Sequence, residues 1–511
     1  MADCGEYFVL LLLWLASIFL LRVILRKVGM RARLPPSPTP LPVLGHLHLL
    51  TNLPHQAFHA ISSRHGPLVY LVFGSNPCVL VSSPEMATQC LKTNESCFLN
   101  RPKRTNLDYI TYGSSDFVLA PYGPYWRFMK RVCMTELLGS RMLRHHLPIR
   151  AQETRLFLNT IMQKAGSRED VNVGKELAML TNNIITRMAL RRRCCDDVEG
   201  EGHQLIQLVK EMTVLGGKFN LGDMLWFVKK LDLQGFGKKL ESVRSRYDAI
   251  MEKIIKEHED ARRNKSGDGD ETVKDLLDIL LDIYADEHSE IRLTRENIKA
   301  FIMNMFGAGT ETSATTIEWG LAELINHPEM MVKAREEIES VVGKKRLVEE
   351  SDIPNLPYVQ SIVKETMRLH PTGPLIVRQC TEDCNVKGYE IPAKTTVFVN
   401  VWAIGRDPKY WENPLEFKPE RFLDEEGRIP LDLKGQHFEL LSFGAGRRSC
   451  PGASLALQII PTTLAAMIQC FEWKVGEDGK GVVDMEEGPG MALPRAHPLL
   501  CVPVVRFPPL V

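Results

Sequence analysis

The chain opens on an almost unbroken apolar run, Tyr7 to Leu21, which Val23-Ile24-Leu25 carries past Arg22. The run is of marginal length for a membrane-spanning helix. Asp3 and Glu6 precede it, and Arg22, Arg26, Lys27, Arg31 and Arg33 follow it. No small-residue cleavage site comes after it, so the pattern reads as a retained anchor and not as a signal peptide. Basic flanks stay on the cytoplasmic side. Residues 1–33 are therefore expected to be an N-terminal membrane-anchor helix, with the body of the chain in the cytosol. Residues 34–45 run Leu-Pro-Pro-Ser-Pro-Thr-Pro-Leu-Pro-Val-Leu-Gly. Proline at this density forbids helix or central strand and makes a stiff spacer.

Residues 46–511 form the body. Leu68–Phe73 and Cys78–Val81 are short apolar runs parted by Gly74-Ser75-Asn76-Pro77, which predicts a β-hairpin. Ser83-Pro84-Glu85 opens a helical stretch. From Arg101 to Ala120 the periodicity is lost, and a loop long enough to be functional is expected. In the helix that follows, Trp126 and Lys130 are four apart and share a face. Leu147 to Lys265 reads as mostly amphipathic helix without a catalytic constellation. Its charged stretches, Arg191-Arg192-Arg193 and Lys253–Lys265, read as solvated faces, and Ser266–Asp270 as a flexible turn. The longest helical pattern spans Leu293 to Ile325, with Thr294 placed as its N-cap and His327-Pro328 ending it. Glu365 and Arg368, three apart, share one face of a later helix. Pro371 to Arg378 leads into strands, and Val397–Val401 is a further strand.

Composition narrows the field. Lys plus Arg and Asp plus Glu number 63 each in 511 residues, so no basic excess points to nucleic acid. The 12 cysteines are scattered through a long chain, which suits reduced thiols better than a disulfide scaffold. Cys380 and Cys384 are close together, but no second pair follows at zinc spacing, and they read as structural. His370 reads as a packed core histidine.

Two stretches break local rules. The first is Phe443-Gly444-Ala445-Gly446-Arg447-Arg448-Ser449-Cys450-Pro451-Gly452, followed by a helix-forming run. Its glycines let the backbone turn tightly and approach a flat object. Pro451 suits the first position of a helix, which places Cys450 at a helix N-terminus, where a thiolate is favoured. Arginines beside such a thiolate are what a haem iron and its propionates need. The second is Gly307-Ala308-Gly309-Thr310-Glu311-Thr312-Ser313, in the middle of the longest helix. Glycines, hydroxyls and a carboxylate inside an apolar helix are unfavourable, and such exceptions concentrate where function needs them.

The spacing Phe443-x-x-Gly446-x-Arg448-x-Cys450-x-Gly452 resembles the haem-binding loop of the cytochrome P450 monooxygenases. Ala308-Gly309-x-Glu311-Thr312 resembles their oxygen-activation segment. Glu365-x-x-Arg368 and Pro419-Glu420-Arg421-Phe422 match two more of their motifs, in order. The resemblance covers essentially the whole chain, anchor and hinge included. It implies a mainly α cytochrome P450 fold with a small β-rich lobe, as one catalytic domain over 46–511. It further implies haem b with Cys450 as iron ligand, and Phe443, Arg448, Trp126, Lys130 and Arg378 around the cofactor. The family pattern has Arg at the Lys130 position; Lys keeps the charge but lacks the bidentate fork. Thr312 and Glu311 are implied as the catalytic pair that handles protons, and Glu365, Arg368 and Arg421 as a supporting network.

The implied activity is an NADPH- and O2-dependent monooxygenase of the endoplasmic reticulum membrane, supplied with electrons by NADPH-cytochrome P450 reductase. The positive face around Lys130 and Arg131 suits docking of an acidic reductase. Val401–Pro408 and Pro451–Ala456 resemble a plant group containing flavone synthase II, isoflavone synthase and dihydroxypterocarpan 6a-hydroxylase. Asn182–Met188 and Leu231–Lys239 resemble its β-amyrin-oxidising branch. Isoflavone synthases carry Lys where this chain has Val377 and Ser where it has Gly307, which argues against aryl migration. The triterpenoid branch often loses the acid–threonine pair kept here. The expected substrate is a flavonoid, hydroxylated or desaturated, with a β-amyrin-type triterpenoid as the alternative and an electron-independent haem-thiolate isomerase as a remote one. A non-catalytic haem sensor would not need the Glu311-Thr312 segment. Pocket walls are expected from Thr105–Ala120, Met212–Phe227, Met303–Thr312, Pro371–Val377 and Gly490–Leu493; these are mostly apolar, as an aromatic or terpenoid ligand requires.

Overall fold

The structure, a computed structural model, describes residues 33–508 except 168, 194–200, 230, 265–273, 428–432, 434 and 477–480, together with residues 6, 10, 13, 14 and 17. The expected anchor falls almost wholly outside the described residues, and the turn expected at Ser266–Asp270 lies entirely outside them. Strands are β1 Leu68–Phe73, β2 Asn76–Val81, β3 Val171–Asn172, β4 Leu375–Gln379, β5 Cys384–Val386, β6 Tyr389–Ile391, β7 Thr396–Asn400, β8 Phe471–Lys474 and β9 Leu500–Val505. The principal helices are α1 Pro54–His65, α2 Thr105–Ile110, α3 Pro124–Cys133, α4 Leu147–Ser167, α5 Val173–Leu190 and α6 Glu201–Gly217. They continue with α7 Phe236–Asn264, α8 Leu276–Ala285, α9 Arg295–Asn326, α10 Pro328–Val342, α11 Pro357–Leu369 and α12 Ala453–Cys470. Two compact units result: Met1–Pro102 with Leu221–Leu233 and Leu375–Ala403, and Lys103–Asn220 with Gln234–Pro374 and Ile404–Val511.

The first unit is the β-rich one. Its sheet has the order β1-β2-β7-β4, antiparallel except where β2 meets β7. Phe58 and Ile61 of α1 pack with Val69, Leu71, Leu80 and Phe398 of the sheet to form its core. Pro54 starts α1, where its missing N–H costs nothing, and Gly66 stops it at φ 101°. The hairpin turns at Gly74, with φ 61°, and a Cβ there would meet the Met224 carbonyl oxygen at 2.1 Å. Only glycine fits both demands.

The second unit is almost all helix. The central helix α9 is buried on every side of its apolar stretches, with Phe301, Ile302, Ile317 and Trp319 at 0 % exposure, as a helix through a core must be. It packs chiefly against α5 and α12. Its N-terminus is a capping box: Thr294 Oγ1 accepts from the Asn297 N–H at 3.2 Å, and Asn297 Oδ1 accepts from the Thr294 N–H at 2.9 Å. The helix ends at Asn326, before His327-Pro328. Helix α12 is long and apolar enough to cross a membrane, but 72% of it is buried, which marks a core helix.

Three expectations need correction. The Arg101–Ala120 stretch is not all loop, because α2 lies within it. Asn106 there donates to the Leu215 carbonyl of α6 at 3.0 Å, so tertiary contact overrides weak local propensity. Pro451 is not at the first helical position: Gly452 is the N-cap and α12 begins at Ala453. Of the arginines at 191–193, Arg193 is not simply solvated, because its Nε donates to both oxygens of the buried Glu153 at 3.1 Å.

Candidate active site

The cysteine loop is built by its glycines. Gly444 at φ 68° and Gly446 at φ 74° reverse the chain twice, and the Cys450 N–H then donates to the Phe443 carbonyl at 2.9 Å. This closes the loop and leaves Cys450 exposed three residues before α12 begins. Every other free cysteine among the described residues is buried or half-buried. Cys133 of α3 is its near neighbour, and burial, reinforced by Cys450, pushes the Cys133 thiol up to about 12 against the pull of Lys130. The free N–H groups of the α12 terminus supply the dipole that favours a thiolate.

Trp126 is held between two cations. The Lys130 ammonium lies 5.2 Å from its ring centroid and the Arg448 guanidinium carbon 4.7 Å. Lys130 also donates to the Arg447 carbonyl at 2.5 Å. Arg448, 8 % exposed, donates to the Val118 carbonyl at 3.2 Å and the Ala120 carbonyl at 2.6 Å. The end of the Arg101–Ala120 stretch, α3 and the cysteine loop are thus tied together. Lys130 reaches the loop through its backbone, a contact that needs no bidentate fork.

On α9, Gly307–Thr312 is the least buried part of the helix interior. Ala308 is exposed and its neighbours half-buried, whereas Ile298–Met303 and Ser313–Ala314 are buried. Thr312 Oγ1 donates back to the Ala308 carbonyl at 2.7 Å, and the Thr310 carbonyl accepts from Thr181 Oγ1 of α5 at 2.9 Å. Hydroxyls placed this way compete with the helix ladder. Burial raises the Glu311 pKa from its ordinary value, with Lys210 of α6 opposing. A cavity of about 30 Å³ is lined by Thr312 and Thr316 of α9, Met367 of α11, Phe443 of the cysteine loop and Ile460 of α12. The volume suits about one water. It brings the expected catalytic threonine and the expected loop aromatic to one space.

Glu365 and Arg368 are both fully buried and joined by two hydrogen bonds of 2.7 Å. Arg368 also donates to the carbonyls of Gly405, Pro414 and Glu416. Arg421 Nε reaches Glu365 Oε1 at 2.9 Å. His370 is packed on Trp319 at 4.1 Å between ring centroids and bonded to Glu323 at 2.7 Å. Arg378 lies buried on β4 of the other unit, its Nη1 on the Val377 carbonyl at 3.0 Å. Among the expected pocket walls, the second unit joins four: Gly216 abuts Leu107, Gly217 abuts Met491, and Gly307 faces Thr213.

Lys210, Cys133 and the Val118 and Ala120 carbonyls went unnoticed in the sequence. Each is roughly 100 to 330 residues from its partner, and no local pattern marks it.

The residues present fit a haem group: one thiol left exposed at a helix start, an aromatic–cation cluster beside it, and a half-open strip of small residues on the central helix. Comparison with known proteins agrees. The cytochrome P450 family pattern matches residues 35–502. The chain is similar to a 3,9-dihydroxypterocarpan 6A-monooxygenase of Glycine max, 50% identical over 98% of each chain. It is similar also to a β-amyrin 24-hydroxylase of Glycine max, 48% identical over 100% of this chain and 99% of that one. A solved zebrafish cytochrome P450 structure with abiraterone superposes with a TM-score of 0.72 at 27% identity, covering 89% of this chain and all of that one.

Proposed function

The chain belongs to the cytochrome P450 family, and on that premise we propose that it oxidises a flavonoid-type substrate by hydroxylation or desaturation. It is a haem-thiolate monooxygenase that draws electrons from NADPH through a reductase. Haem, when bound, supplies the activation of O2 and the attack on an unactivated C–H bond. The protein supplies position and protons. Cys450 is the ligand that would hold the iron, with Trp126, Lys130, Arg378, Phe443 and Arg448 around the group. Glu311, whose carboxyl burial shifts toward the protonated form, is the proton source, and Thr312 passes the proton through its hydroxyl at the cavity it lines. Glu365, Arg368 and Arg421 keep the surrounding backbone in place.

One observation carries this reading: Thr312 and Phe443 line the same cavity, with Glu311 half-buried beside Thr312 on the same helix. An electron-independent isomerase has no use for that pair, and turnover without NADPH would overturn the reading. The flavonoid assignment is supported by the pterocarpan monooxygenase relative and by the retained acid–threonine pair. The β-amyrin relative, nearly as similar, favours a triterpenoid alternative. Incubating microsomes and reductase separately with naringenin, liquiritigenin and β-amyrin discriminates the two. Mass spectrometry is expected to show a flavanone gaining oxygen or losing hydrogen; oxidation of β-amyrin alone would transfer the assignment.

The same reading places the chain on the endoplasmic reticulum by a single N-terminal anchor. The apolar run from Tyr7 and the basic residues after it support this. Residues 34–45 are the hinge, 46–511 the catalytic domain on the cytosolic side, and NADPH-cytochrome P450 reductase and membrane lipid its neighbours.

A further inference from the structure

The face that α5 turns to α9 is polar where two packed helices normally present apolar side chains. Thr181 and Asn182 are 0 % and 2 % exposed, and both meet the same residue of α9, Thr310. Thr181 Oγ1 donates to the Thr310 carbonyl at 2.9 Å, and Thr310 Oγ1 donates to Asn182 Oδ1 at 3.4 Å. The Thr181 hydroxyl has one proton to give, and the Leu177 and Ala178 carbonyls of its own helix lie slightly farther off, at 3.0 and 3.2 Å. Gly309 lets α5 come this close: a Cβ there would meet Ile185 Cδ1 at 2.8 Å. Asn182 Nδ2 is buried without a hydrogen-bond partner. Such a donor costs stability, and exceptions of this kind concentrate where function needs them.

We infer that Thr181, completed by Asn182, is a positioning residue that fixes the rotation of α9 about its own axis and thereby the place of the Thr312 hydroxyl. The inference rests on the proton-handling role proposed above for Glu311 and Thr312. Thr310 and Thr312 are two residues apart, about 200° around the helix. Thr310 therefore faces α5 while Thr312 lines the cavity with Phe443, and a grip on one side sets the angle of the other. The bond from Thr312 Oγ1 to the Ala308 carbonyl lies within α9 and cannot set that angle; a bond from a second helix can. Turning α9 by about 10° moves a side-chain tip about 5 Å from its axis by roughly 1 Å. An error of that size is enough to cost about a hundredfold in a catalytic step.

The test uses the full-length protein in microsomes with reductase, supplied with naringenin, or with β-amyrin if the wild type oxidises that instead. Product, NADPH and hydrogen peroxide are measured together. Thr181→Val should lower product per NADPH by roughly three- to tenfold, the weight of one hydrogen bond, with hydrogen peroxide rising and KM unchanged. Thr181→Ser should restore the coupling. Thr186→Val deletes a hydroxyl whose bonds, to the Asn182 and Asn183 carbonyls, stay within α5, and should leave coupling as it is. Asn182→Leu should lower coupling without lowering the melting temperature; preserved coupling there would remove Asn182 from the grip. In the double variant Thr181→Val with Thr312→Val, the loss should not exceed that of Thr312→Val alone, because both act through one hydroxyl. Coupling preserved in Thr181→Val while Thr312→Val uncouples, equal loss in Thr186→Val, or losses that multiply in the double variant would each overturn the inference. Full coupling in Thr312→Val is a different result: it overturns the catalytic reading, and the inference with it. The carbon monoxide spectrum of each variant confirms that its haem site is folded.

Discussion

Glu365 and Arg368 face each other through two parallel hydrogen bonds of 2.7 Å, with neither side chain exposed. A fork-to-fork pair of this kind fixes direction as well as distance. The remaining Arg368 donors reach three backbone carbonyls between residues 405 and 416. Removing one partner leaves a buried charge uncompensated, which costs roughly 3–5 kcal/mol. Arg368→Lys cannot reproduce the fork and is expected to lose most of that amount. Thermal unfolding of Glu365→Gln and Arg368→Lys measures it; a change below about 1 kcal/mol in both would remove the network from the stabilising elements.

Cys450→Ala is expected to abolish the thiolate-haem absorption of the reduced protein with carbon monoxide. A surviving band would show that another group holds the iron.

Thr312→Val keeps the shape of the side chain and deletes the hydroxyl that bonds the Ala308 carbonyl. NADPH consumption should continue while product falls by about a hundredfold, the lower end of a general acid–base contribution. Thr312→Ser should restore most of the product. Equal loss of NADPH consumption and product in Thr312→Val would point to a structural role instead.

Glu311 sets a pH limb. Burial raises its pKa and Lys210 lowers it, so the protonated, donating form is lost as pH rises through the raised value. Lys210→Met removes the opposing charge and should shift the alkaline fall of coupled turnover to higher pH. Glu311→Gln should remove that limb. An unshifted profile in Lys210→Met would mean that the α6 lysine does not act on the acid.

Gly74→Ala combines a left-handed backbone with a Cβ placed 2.1 Å from the Met224 carbonyl oxygen. Strain of this kind costs on the order of 1–3 kcal/mol before any clash is counted. The melting temperature should fall by several degrees, while Gly388→Ala, where a Cβ meets nothing within 4 Å, should fall less. Both glycines have positive φ, at 61° and 87°, so the difference isolates the contact.

What could be read from the residues was local. Thr294 and His327-Pro328 marked both ends of α9 within one or two residues because caps and prolines act on their own neighbourhood. Cys450, Glu311 and Thr312 stood out because each broke the rule of its surroundings. Helix α2 was hidden because Asn106 owes its helical turn to Leu215, more than a hundred residues away. Lys210 was invisible for the same reason: it looks like any exposed lysine until α6 is folded over α9. The two uses of arginine at 447 and 448 also needed coordinates. Their charges were evident, but only the fold shows Arg448 on the Val118 and Ala120 carbonyls, and the Arg447 carbonyl, not its guanidinium, receiving Lys130.

Helix α12 begins at the cysteine loop and then runs through the interior, where Ile459 to Cys470 are almost entirely buried. Whatever loosens the interior also moves the sulfur at its head. The colour of the bound enzyme is then a strain gauge for the whole helical unit. Early heat damage should appear as a change of spectrum while the circular dichroism of the helices is still intact.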